Sequence, residues 1–133
     1  MDRSTIEAAV TEAVIEALGA EPEEVVPDAT LLDALGAESI DLLDILFRLE
    51  RSLGIKIQAA ELAAYVQGGI PDEEFGDENE IVSAAGLAQL KKVMPQIDTA
   101  ALAGKLEATK VMGLFTVENL VGLVEHRAAL TTA

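Results

Sequence analysis

The sequence predicts an all-α fold, and three observations carry that expectation. Half of its 133 residues are hydrophobic, mainly Ala, Leu, Val and Ile, and only 3% are aromatic. Ala and Leu lead the helix-propensity scale, so the bulk of this apolar content favours helices. Apolar residues recur at helical spacing between Gly and Pro stops. No segment alternates as a strand does, and no internal repeat is evident. The length suits one domain over 1–133 with a core of its own.

The first helix opens on Ser4 and Glu7, spaced as a capping box, and continues through Ile6, Val10, Val14 and Leu18 to a stop at Gly19. Residues 20–36 then form a loop, broken by Pro22, Pro27 and Gly36 and anchored by Leu31, Leu32 and Leu35. The second helix spans 39–53, with Gly54 as its stop. Ile55, Lys56 and Ile57 lead into a short helix over 58–67, which Gly68, Gly69 and Pro71 end. The acid-rich stretch 72–80 reads as a solvated loop. Asn79 or Asp77 caps a further helix to about Val93, and Asp98 caps another that ends near Gly113, with Ile97 and Leu102 placed as a hydrophobic staple. The last helix starts at Thr116 and runs to about Arg127.

The formal net charge is −15. Such a chain repels phosphate backbones and anionic membranes, which excludes nucleic acid as a partner and favours proteins with basic patches. No apolar run reaches the roughly 18 residues that span a bilayer, and no basic start precedes an apolar segment as in a signal peptide. The expected location is cytoplasmic. With no cysteine and a single histidine, His126, the sequence offers no disulfide, no thiol nucleophile and no His- or Cys-based metal site. A Gly-x-Ser-x-Gly hydrolase elbow is absent too, since Gly36 lies three residues before Ser39 and Asp41 replaces the second glycine. Calcium ligation in the acidic stretch fails the EF-hand pattern: counted from Asp72, position 6 is Asp77 and position 12 is Ser83. No catalytic residue is identified.

Ser39 stands out against this background. It lies at the predicted N-terminus of the second helix, after Gly36 and beside Glu38 and Asp41. A helix N-terminus offers unpaired N–H groups and a positive dipole end, which suit a phosphate ester on the serine; the alternative role is a plain N-cap. The helix itself has more apolar face than one packing contact needs. Its polar residues fall on one arc of about 100°. Leu42, Ile45, Leu46 and Leu49 are expected to face the core. Ile40, Leu43 and Phe47 make a second strip, flanked by Asp44 and Glu50, that is expected to dock a partner. Glu38 and Asp41 complete the expected docking residues.

The segment Leu35-Gly36-Ala37-Glu38-Ser39-Ile40-Asp41-Leu42-Leu43-Asp44, with Phe47, Glu50 and the exit Leu53-Gly54-Ile55-Lys56-Ile57, resembles the acyl carrier proteins. Phe115-Thr116-Val117-Glu118-Asn119-Leu120-Val121 is similar to the start of that family's last helix, and the resemblance covers about 1–75 and 113–130. It implies an acyl-carrier-like four-helix bundle, with about two additional helices inserted at about 76–113. It implies that Ser39 carries 4′-phosphopantetheine, added from coenzyme A by a phosphopantetheinyl transferase that needs Mg²⁺. The terminal thiol then holds acyl groups as thioesters, which accounts for a carrier without cysteine or catalysis of its own. The implied partners synthesise or transfer acyl chains in fatty acid, polyketide or specialised lipid synthesis. Leu42, Ile45, Leu46, Leu49, Ile57, Leu120 and Val124 are the implied lining of an acyl pocket.

Two features depart from the family. Glu38 stands where Asp is usual, which bears on transferase choice. The insertion is long, and 65–75 is similar to the extended third-helix region of carriers for very-long-chain or lipid A acyl groups. Two other readings stay open on the sequence: a peptidyl or aryl carrier, and an unmodified helical interaction module.

Overall fold

Two glycines in the left-handed region end the first two helices. α1 (Arg3–Leu18) stops at Gly19, with φ 68° and an N–H bonded to Ile15 O. α2 (Ser39–Leu53) stops at Gly54, with φ 70° and an N–H bonded to Glu50 O. A side chain at either position would be strained, so glycine there fixes the helix length. The computed structural model describes residues 2–57, 59–76 and 78–132, apart from the side chains of Ser39, Ala59, Ala63, Asp72, Thr109, Met112 and residues 130–132. After α2 come α3 (Ala59–Gln67), α4 (Asp72–Phe75), α5 (Ala84–Val93), α6 (Thr99–Leu102) and α7 (Val117–Thr132). Short 3₁₀ turns lie at Pro22–Glu24 and Ala108–Leu114. The described residues contain no strand, only isolated bridges.

α1 packs against α2 and α7. Ile6, Val10 and Val14 from α1 meet Ile45, Leu46 and Leu49 from α2 and Leu120, Leu123 and Val124 from α7 in one buried cluster. The loop before α2 is tied to the start of α7. Leu31 N bonds Phe115 O at 3.0 Å, Val117 N bonds Ala29 O at 3.0 Å, and Glu118 N bonds Pro27 O at 2.9 Å. These bonds satisfy backbone groups that a long loop would otherwise leave unpaired. Outside the core, the Arg3 guanidinium reaches Glu7, Glu118 and Glu125 and clasps α1 to α7.

Asp2, not Ser4, caps α1. Its carboxylate accepts from Thr5 N at 3.0 Å and Thr5 Oγ1 at 2.7 Å, and Ser4 Oγ also donates to it at 3.1 Å. An aspartate two residues earlier adds a negative charge at the positive helix end, which a serine cannot. The backbone bond from Thr5 is the largest of the interactions holding the Asp2 carboxyl below its ordinary range. The other end of the chain also differs: α7 runs past Arg127 to Thr132.

The insertion differs most from expectation. Part of the acidic stretch is helical: α4 carries Phe75, which is buried, instead of forming a solvated loop. Asn79 caps no helix, and Asp77 lies outside the described residues, as does Gln58, the expected start of the third helix. The chain at 80–82 is diverted into pairing. Val82 N bonds Leu106 O at 2.8 Å and Ala108 N bonds Glu80 O at 2.7 Å. α5 therefore starts later, capped by Ser83, whose Oγ accepts from Gly86 N at 3.1 Å and donates to Glu74 O at 2.6 Å. Gly86 is required where α5 crosses the end of α4, because a Cβ there would lie 2.7 Å from Phe75 O. Asp98 does cap α6, accepting from Ala100 N and Ala101 N. That helix stops after four residues, because Gly104 turns at φ 72° and Glu107 pairs with Ile81. Leu87, Leu90, Met94, Ile97, Leu106 and Val111 all join the main buried cluster.

Candidate functional site

The site is built on the start of α2. Gly36 turns the chain at φ 71°, and Ala37 N bonds Leu31 O at 2.9 Å, which anchors the approach to the core. Glu38 is extended and occupies the cap position, so Ser39 is the first helical residue and not the N-cap. Asp41 closes the turn by accepting from Glu38 N at 2.9 Å. The Ser39 side chain lies outside the described residues, while its neighbours Glu38 and Ile40 are exposed. The backbone position of Ser39 at the N-terminus of a fifteen-residue helix is favourable for a phosphate, by dipole and by free N–H groups.

Below that position runs an apolar strip. Ile40, Leu43 and Phe47 are 69%, 51% and 55% exposed, so the insertion does not cover them. The Arg51 guanidinium lies 5.8 Å over the Phe47 ring, a cation–π contact at the far end of the strip. The flanking acids are not equivalent. Asp44 Oδ1 lies 3.2 Å from Arg48 Nε, an ion pair off the hydrogen-bonding angle, and Arg48 Nη1 also donates to Glu16 of α1 at 2.9 Å. Asp41 is engaged in the cap. Glu50 has no ion pair among the described residues.

The residues expected to line an acyl pocket are brought together. Ile45, Leu46, Leu49, Ile57, Leu120 and Val124 are fully buried, and Leu42 nearly so, all in one cluster. α3 borders this region, and its Tyr65 ring is tilted against His126 with centroids 5.4 Å apart. Burial, then the nearby Glu125 carboxylate, raise the Tyr65 hydroxyl above its ordinary pKa. His126 is otherwise exposed.

Sequence reasoning missed Asn119. It is a buried polar residue whose Oδ1 accepts from Thr116 N at 3.0 Å and from Gln96 Nε2 at 2.8 Å. Its Nδ2 donates to Val93 O at 3.1 Å. Through it the first turn of α7 is fastened to the loop after α5. The available signal was Asn at the third position after Thr116, where a reciprocal cap needs a side-chain acceptor.

Residues 8–66, from α1 into α3, match the family described as "Phosphopantetheine attachment site". The chain is similar to the acyl carrier protein of Zymomonas mobilis, at 43% identity over 44 residues, covering 33% of this chain and 56% of that protein. It is similar to the acyl carrier protein of Thermotoga maritima, at 37% over 60 residues, covering 45% and 74%. It is also similar to the acyl carrier protein AcpXL of Brucella melitensis, at 31% over 67 residues, covering 50% and 72%. The alignment thus spans little more than half of the first relative and nearly three quarters of the other two. No solved structure matches the chain. No described helix is long and apolar enough to cross a membrane.

Proposed function

Since this chain belongs to the acyl carrier protein family, whose prosthetic group is a covalently attached 4′-phosphopantetheine, we propose that Ser39 is the attachment point. The observation that carries this is the position of Ser39 as first residue of α2, between exposed neighbours and at the head of an exposed apolar strip. A phosphopantetheinyl transferase moves the group from coenzyme A to the Ser39 hydroxyl, which loses its proton as the pyrophosphate bond breaks and adenosine 3′,5′-bisphosphate leaves, and the helix N-terminus then faces the new phosphodiester. The arm ends in the thiol that the chain itself lacks. Tethering keeps the acyl thioester at high effective concentration for each enzyme that docks.

Ile40, Leu43 and Phe47 supply the adhesive contact, and Glu38, Asp41, Asp44 and Glu50 select partners with basic patches. The residues from Leu42 to Val124 named above wall an acyl pocket, where each sheltered methylene contributes about 0.8 kcal/mol. The cargo belongs to fatty acid, polyketide or specialised lipid synthesis, in the cytoplasm. Incubation with coenzyme A, Mg²⁺ and a promiscuous transferase is expected to add one phosphopantetheine by intact mass, and Ser39→Ala is expected to abolish it. A protein unmodified by several transferases, or modified equally in the Ser39→Ala variant, refutes the assignment.

A further inference from the structure

We propose that an open trough between the loop at 27–30 and the inserted segment holds the distal part of the acyl chain carried on Ser39. This rests on the reading of Ser39 as the attachment point. Two adjoining cavities, of about 260 and 280 Å³, share Asp28, Gln96 and Thr116. Ile97, Ala101 and Leu102 of the insertion, with Leu114 just after it, form one wall, against Pro27 and Thr30 of the loop. The trough therefore has the insertion on one side and this loop on the other.

Its chemistry favours a hydrocarbon. The exposed surface of both cavities is mostly apolar. Three polar side chains in its floor are already engaged: Thr116 Oγ1 accepts from Asn119 N, Asn119 Oδ1 accepts from Thr116 N, and Gln96 Nε2 donates to Leu114 O and to Asn119 Oδ1. Asp98 is engaged by two backbone N–H groups of α6. A peptide main chain laid here would find few partners for its own N–H and C=O groups, and burying those unpaired is costly. A methylene chain has none to satisfy. The carboxylates of Asp28 and Asp98 at the edge disfavour a free fatty acid but not an acyl chain delivered as a neutral thioester.

The trough is also within reach. Thr30 lies in its wall, and Leu31 O accepts from Ala37 N two residues before Ser39. Standard bond lengths along that path cap the Thr30–Ser39 Cα separation at about 19 Å. An acyl chain at the end of a flexible arm anchored on Ser39 samples this volume at high effective concentration.

The test compares the phosphopantetheine, acetyl and dodecanoyl forms, each loaded from the corresponding coenzyme A thioester and verified by mass, in ¹H–¹⁵N spectra. The expected result is amide shifts at Ala101, Leu102, Leu114 and Thr116 in the dodecanoyl form that are absent from the acetyl form. Ala101→Trp, at an exposed position of α6, fills the trough and is expected to remove those shifts while leaving the mass addition intact. Shifts confined to α2 and α3, or unchanged in Ala101→Trp, overturn the trough while leaving the carrier reading standing. Failure of the natural chain to gain the mass overturns the carrier reading and the trough with it.

Discussion

Replacing Asn119 with leucine removes the one side chain that bonds both Thr116 N and Val93 O. The buried Thr116 N–H donates to Asn119 Oδ1, and the part-buried Val93 carbonyl accepts from Asn119 Nδ2. Each buried group left unsatisfied costs about 1–3 kcal/mol, so the pair sets a range of about 2–6 kcal/mol. Leucine recovers some apolar contact, and Gln96, which is exposed, turns to water. We expect a net loss of about 3 kcal/mol, a large share of the roughly 5–15 kcal/mol that holds a domain of this size. Urea unfolding measures it, read by far-ultraviolet circular dichroism for the whole chain and by the single tyrosine, Tyr65, for the junction of α3 and α7. The two transitions should coincide and shift together, because the insertion and the bundle share one buried cluster. Gln96→Ala, which orphans no buried backbone group, should cost less than about 1 kcal/mol. A loss in Asn119→Leu no larger than that of Gln96→Ala refutes the reasoning. Separate transitions for the two probes would show that the insertion unfolds on its own.

Three further outcomes follow from the same geometry. Gly86→Ala would ordinarily gain up to about 1 kcal/mol of helix propensity, but here the new methyl meets Phe75 O and Val82 Cγ1, both at 2.7 Å. The carbonyl is held by Ser83 N at 2.8 Å and cannot withdraw freely, so a net loss of about 1–2 kcal/mol is expected in thermal melts, and a stabilised variant would contradict the crossing described. Tyr65 is an acid whose folded pKa lies above its ordinary 10.0. Its contribution is complete below that ordinary value and is lost as pH rises through the raised folded one. Tyr65→Phe should accordingly flatten the alkaline limb of the stability–pH curve, and an unchanged limb would refute the assignment. Charge reversal on α2 should be unequal: Glu50→Lys is expected to raise the transferase KM several-fold with little change in kcat, and Asp44→Lys less, because Arg48 already offsets Asp44. Equal KM values in both variants and the natural chain would remove these acids from the docking surface.

The long helices were legible because local signals agree with tertiary demand. Gly19 and Gly54 can each only end a helix at their φ, and the apolar excess on α2 appears as an exposed strip beside a buried one. In the insertion, the two added helices and the Asp98 cap were legible but the helix bounds were not, because long-range pairing decides them. Asn79 has cap chemistry, yet Val82 is held by Leu106, so the helix waits for Ser83. Residues 99–113 have helical composition, yet Gly104 and the pairing of Glu107 with Ile81 confine the α-helix to one turn. At the site, cap chemistry was read one residue late: Ser39 has the favoured side chain, but Glu38 and Asp41 together form the reciprocal cap and leave the serine in the first helical position. Asn119 escaped notice because its principal partners, Val93 and Gln96, are more than twenty residues away.

The pairing of 80–82 with 106–108 has a consequence for how the chain folds. Without it, α7 would have to find the bundle across the whole stretch 68–116. Loop-closure entropy grows only with the logarithm of length, about 0.6 kcal/mol per doubling. The Val82–Leu106 and Glu80–Ala108 bonds take residues 83–105 out of that path, nearly half of it, and so recover about one such step. α7 is distant from α3 along the sequence but much closer to it as a search problem. An early-formed clasp at this point would speed the docking of Phe115 and α7, and weakening it should slow folding more than it hastens unfolding.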